Sequence, residues 1–298
     1  MARVVAVHGI LNTYAAPEVM AAGWVPALLG GVDLSGNGGV LSEADVSCVF
    51  YGDVFRRPGR YLGGDDLELL DPEDVDGPAE AGLLAAWWEA AAQVDPGVVP
   101  PGARTLGPRI GVQAALSALA GSRFLAGVGE RLLIAWLKHV RTYFTQPEIR
   151  QQIQNRFVEA ISADTQVVVA HSLGSVVAYE ALSAHPEWAV RSLVTLGSPL
   201  GIRNVILDRL IPAPMRDGKG MRGQWPGSVA QWTNIADRAD FVALVKSLKH
   251  VYPEPPAQDP IVDIEIDNGM SAHKVDRYLT ARETGAAIAA GFLAGTDG

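Results

Sequence analysis

The stretch VVVAHSLGSVVAYEAL, from Val167 to Leu182, sets His171, Ser172 and Gly174 inside an otherwise apolar run. A β-branched segment precedes them and an apolar, helix-compatible segment follows, so Ser172 falls on a turn between a strand and a helix. A turn that sharp needs small residues two positions either side of the serine, and Ala170 and Gly174 stand there. This is the spacing of the G-x-S-x-G elbow, with alanine in the first place. Such a bend lifts the hydroxyl above the sheet, at the N-terminus of the next helix, where the Leu173 N–H points towards a developing oxyanion. A plain Ser/Gly helix start is the simpler alternative. It leaves the apolar strand and the adjacent histidine unexplained. The chemistry on offer is nucleophilic attack on an acyl carbonyl.

A serine hydroxyl is a weak nucleophile and needs an oriented base. The chain has six histidines, at 8, 139, 171, 185, 250 and 273. For the order serine, acid, histidine, only His250 and His273 lie far enough downstream. His250, in KSLKHVYPEP, reads as a helix-end surface residue. His273, in NGMSAHKVDRYL, follows an apolar strand pattern and is the favoured base. The acid is sought in WTNIADRADFVAL. Asp240 precedes Phe241-Val242 and is preferred, with Asp237, nearer the strand end, as the alternative. Asp263 and Asp267 are outside candidates. A second oxyanion donor is expected from VHGILNT, where Gly9 lets the backbone come close. The N–H of Ile10 is preferred and that of Leu11 is the alternative, with His8 holding the loop. The acidic run 65–80 lacks the spacing of a calcium loop, and neither a metal site nor a cofactor is indicated.

These residues need a frame. Strand-like runs lie at 3–7, 46–52, 165–170, 190–197, 229–235 and 260–266, with helical patterns at 17–29, 147–163, 174–184, 239–248 and 273–293. Most strand runs are apolar on both faces, as in a parallel sheet covered on both sides. The alternation predicts an α/β fold, a doubly wound and mainly parallel sheet of about six strands in a single domain, 1–298. Residues 53–146 are too long for a connection and read as a helical cap or lid insertion, with helices around 79–93 and 109–144. Trp87, Trp88 and Trp136 would form its core or wall an acyl pocket. The Pro/Gly-rich segment 198–228 reads as a mobile flap.

The bulk properties narrow the partners. A net charge of −9 without a basic cluster argues against nucleic acid. Cys48 is the only cysteine, so no disulfide can form within the chain. The opening MARVVAVHGI has no leader pattern, and the longest apolar segment, Ile110–Ala126, is broken by Arg123. A cytoplasmic protein without a transmembrane segment is expected, acting on a small-molecule or lipid-like acyl substrate. Oligomeric state stays open.

Taken in order, VHGI, VVVAHSLGS, LVTLGSPLG, WTNIADRADFV and SAHKVDRYL resemble the α/β-hydrolase superfamily, in its lipase-like and esterase-like branch. The resemblance spans the sheet and its loops but not 53–146. It implies a catalytic triad of Ser172, Asp240 (or Asp237) and His273, a covalent acyl-enzyme, and hydrolysis of a carboxylic ester without metal or cofactor. Acyl transfer or thioester hydrolysis would use the same triad. A non-catalytic interaction protein on the same fold is the alternative of another class. One departure is that the first strand begins at residue 3, so the strands usual before the HG loop are missing and the sheet is shortened.

Overall fold

The computed structural model describes residues 2–10, 12–13, 15–56, 70–75, 77–102, 108–120, 122, 130–218, 220–227, 229–256, 258–269 and 272–293. Six strands form one sheet: β1 (Val4–Val7), β2 (Val46–Val49), β3 (Val167–His171), β4 (Ser192–Leu196), β7 (Gln231–Asp237) and β8 (Val262–Ile266). Their spatial order is β2-β1-β3-β4-β7-β8. Every neighbouring pair in it is parallel. A separate antiparallel hairpin pairs β5 (Met215–Asp217) with β6 (Gly220–Arg222).

The central strands are Val- and Leu-rich because both faces are covered. Side chains alternate between two apolar layers. Val4, Ala6, Val167, Val169, Val194 and Leu196 meet Trp24 and Leu28 of α1 (Pro17–Leu34) and Ile288 of α8 (Arg282–Leu293). Val5, Val7, Val168, Ala170 and Leu193 share the other layer with Ile153 and Phe157 of α5 (Pro147–Ala160) and Val176 and Val177 of α6 (Leu173–Ala184). Helices therefore cover both faces of a parallel sheet, an α/β architecture. The chain runs from β1 out to β2 and then crosses back to β3 on the other side of β1, so the strand order reverses between β1 and β3, the kind of position where α/β sheets place ligands.

The long segment 53–146 is largely helical, with α2 (Gly77–Val94), α3 (Pro108–Ala120) and α4 (Glu130–Thr145). The helical pattern over 109–144 corresponds to two helices, α3 and α4, and most residues between them lie outside the described set. Leu83, Trp87, Leu116, Leu133 and Trp136 join the same apolar layer as α5 and α6. Glu80 on α2 is buried and takes Lys138 (3.1 Å) and Arg141 (2.9 Å) from α4.

Three expectations are corrected. Residues 239–248 are not a helix; turns and irregular backbone fill them. Asp240 Oδ1 accepts the N–H of Val242, and the carboxylate of Asp263 accepts those of Leu248 and Lys249, so side chains take the donors a helix would need. The pattern over 273–293 divides into α7 (Val275–Leu279) and α8. The break falls where the carbonyls of Leu279 and Ala281 press on Gly31 of α1, at the place a side chain would occupy. Within 198–228, Leu200, Ile202, Val205, Ile206 and Leu207 are buried in the core, so this part is packed rather than a loose flap. Ile211, just before the hairpin, and Met215, at its start, are exposed. No described helix is long and apolar enough to cross a membrane.

Candidate active site

Ser172 caps the N-terminus of α6 with φ 54° and ψ −128°, one of two non-glycine residues with positive φ among the described residues. Such a backbone persists only where its surroundings over-determine it. The Ser172 N–H donates to the Leu196 carbonyl (2.9 Å), carrying the β3–β4 ladder through the bend. Its own carbonyl accepts the Ser175 hydroxyl (2.6 Å), which also bonds the Ser198 hydroxyl (2.7 Å). A Cβ at Gly174 would strike the carbonyls of Val7 and His8, and one at Gly9 would strike the Ser172 side chain. Both glycines are therefore required by the close approach of the elbow to the end of β1.

His273 lies in the loop between β8 and α7 and reaches back over this bend. Its Nε2 is 3.1 Å from Ser172 Oγ and its Nδ1 is 2.9 Å from Asp240 Oδ2. Asp240 is fully buried. Burial alone would raise its pKa. The positive charge and hydrogen bond of His273, together with Lys246 and the Tyr278 hydroxyl, outweigh that and bring it down to about 2. The carboxylate is thus an anion that its partners hold in place. Gly197, with φ +54°, leaves room for it, since a Cβ there would lie 2.6 Å from Asp240 Oδ2.

The alternatives are occupied otherwise. Asp237 accepts the N–H groups of Ala239 (2.7 Å) and Asn268, which fixes the turn after β7. Asp263 serves the irregular segment described above, and Asp267 closes a turn through Gly269 N–H (2.9 Å). His250 is exposed, and its carbonyl accepts from Arg222.

The loop after β1 is organised by His8. Its ring is buried and stacked on Tyr51 at 4.1 Å. Its Nε2 accepts the Tyr51 N–H (3.0 Å), so in the neutral ring the proton sits on Nδ1 and is donated to the Gly9 carbonyl. Burial pushes this histidine down to about 4, so it stays neutral near pH 7. In a trans peptide the C=O and N–H point opposite ways. Fixing the Gly9 carbonyl on His8 therefore turns the Ile10 N–H away from His8. Leu173 opens α6, where N–H groups have no partner within the helix. Leu11 lies outside the described residues.

Sequence reasoning missed Tyr278 and the roles of Ser175 and Ser198. The Tyr278 hydroxyl donates to Asp240 Oδ2 (2.7 Å) and accepts the Asp237 N–H (2.7 Å). Ser198 belongs to the GSP turn, and its pairing with Ser175 would have been the only local hint. Phe241 meets the His273 ring edge-on at 5.2 Å, and Trp87 of α2 meets Phe241 at 6.5 Å. The Thr13 hydroxyl bonds His139 Nε2 (3.3 Å), which ties the β1 loop to α4. Ser172 has no exposed surface.

An open cleft of about 850 Å³ lies elsewhere, lined by Glu265, Asp267, Arg277 and Glu283, and includes neither Ser172 nor His273. Among the described residues, no group of three His, Cys, Asp or Glu side chains is gathered as a metal site would be. No protein-family model, curated protein or solved structure matches the chain.

Proposed function

We propose that the chain is a serine hydrolase of the α/β-hydrolase type that cleaves a carboxylic ester through an acyl-enzyme. The observation that carries this reading is the unbroken line from Ser172 Oγ through His273 to buried, ionised Asp240, with the serine on a strained strand-to-helix bend. Ser172 attacks the carbonyl carbon while His273 Nε2 takes its proton. Asp240 fixes the imidazole through Nδ1 and stabilises its positive charge. The N–H groups of Leu173 and Ile10 receive the oxyanion. His273 returns the proton to the leaving alcohol, then activates water to release the acyl group. Helices α2, α3 and α4 act as the cap, and Trp87 with Phe241 forms the apolar wall nearest the base.

Turnover of p-nitrophenyl esters of increasing acyl length, beside acyl thioesters and peptides, tests the reading. Ester cleavage with an optimum in chain length supports it, and inertness towards all esters contradicts it. Acyl transfer is a second reading, favoured by the complete burial of Ser172, because a site closed to water prefers another acceptor. Added alcohol that diverts the acyl group at the expense of free acid would favour transfer.

The Gly9→Ala variant probes the oxyanion loop. The new methyl would meet the Ser172 side chain and push the β1 loop away from it. Misplacing one donor costs about 10²–10³-fold in kcat in comparable sites. A loss of that size is expected in steady-state ester hydrolysis. Full activity in this variant would place the oxyanion elsewhere.

A further inference from the structure

His171 precedes the nucleophile, yet the mechanism above gives its side chain no task. It is the last residue of β3 and is buried, with Nε2 lacking any hydrogen-bond partner. A buried polar atom left unpaired is costly and calls for a reason. Its ring centroid lies 4.8 Å from that of His273, with the planes 31° apart. Trp24 of α1 meets it edge-on at 6.4 Å, and Tyr278 of α7 lies 5.8 Å away.

We propose that His171 is a positioning residue for His273: its ring, wedged between α1, α7 and the imidazole, keeps His273 Nε2 on the Ser172 hydroxyl. The inference rests on the hydrolase reading for its kinetic consequences, but the placement of the His273 ring is a separate observable. The base rides on a loop, whereas His171 rides on a central strand. Contact between the two rings passes the rigidity of the sheet to the loop.

Chemistry explains why a histidine can serve here without interfering. The titratable groups facing it are His273, Asp240, His8 and Tyr278. Burial, then the neighbouring His273, keeps His171 well below the usual histidine range, so it remains neutral while His273 carries a proton during turnover.

The test compares the full-length wild type with His171→Ala and His171→Phe. Phenylalanine keeps an aromatic ring in the wedge, and alanine removes it. Small misplacement of a catalytic group can cost about 10²-fold. With p-nitrophenyl butyrate, kcat is expected to fall about 10²-fold in His171→Ala and only about 3–10-fold in His171→Phe, with KM unchanged within about twofold in both. The low-field proton signal of the His273 Nδ1–H bonded to Asp240 should persist in His171→Phe and shift or broaden in His171→Ala. Should His171→Ala fail to fold, His171→Phe carries the test through its signal and its kcat. Wild-type kcat and an unchanged signal in His171→Ala would overturn the proposal. So would a His171→Phe variant as impaired as His171→Ala, or a folded His171→Phe that loses the signal. A wild type that shows the signal but turns over no ester would sink the hydrolase reading and leave the positioning readout standing.

Discussion

Ser172→Ala is expected to lose about 10⁵–10⁶-fold in kcat for ester hydrolysis while keeping its fold. The hydroxyl is bonded to His273 Nε2, whereas the bend is held by the serine's main-chain N–H and carbonyl, through Leu196 and Ser175. Alanine leaves those bonds in place and tolerates positive φ no worse than serine. The thermal midpoint should therefore stay within a few degrees of the wild type, roughly the spread of an ordinary mutation. Steady-state kinetics beside a thermal melt checks both halves. A variant that retains a tenth or more of wild-type turnover would mean that another group attacks the ester.

The second large effect separates the two aspartates. Asp240→Asn is expected to cost about 10⁴-fold in kcat near pH 7, because an amide favours the wrong tautomer of His273 and cannot stabilise its charge. Asp237→Asn should cost less than about tenfold in kcat, since Asp237 bonds the main chain of Ala239 and Asn268 and does not touch the base. The reverse ranking would reassign the acid.

Stability gives an independent check. Asp240 titrates near 2 in the folded chain and near 3.9 when unfolded. A carboxyl depressed on folding favours the folded state above its unfolded value, and that contribution fades as pH falls through the folded one. Between about pH 4 and pH 2, wild-type stability should therefore drop more steeply than that of Asp240→Asn. Parallel melting curves across that window would show that the carboxylate is not held as described.

How much of this could be read from the chain depends on where each interaction partner lies. The β3–α6 bend is encoded within ten residues, by an apolar strand, a serine and small neighbours, so it was legible. The loops bearing Asp240 and His273 were legible too, because each follows an apolar strand run. Residues 239–248 were misread because FVALVKSLKH has helical apolar spacing, while the groups that capture its N–H donors include Asp263, on another strand. No local pattern can show that. Tyr278 was missed for the same reason, since it meets Asp240 38 positions away. The break before α8 depends on Gly31 of α1, at the far end of the sequence. The helical character of 53–146 was visible in its periodicity. The contact of Trp87 with Phe241 was not, because it joins two segments that no repeat or motif connects.

Intact-protein and peptide mass spectrometry after exposure to a fluorophosphonate tests the chemistry most directly. One phosphonyl group per chain is expected, on the peptide containing Ser172, forming far more slowly when His273 is replaced by alanine. A protein that stays unmodified, or that carries the adduct on a different residue, would contradict the assignment of Ser172 as the nucleophile and of His273 as its base.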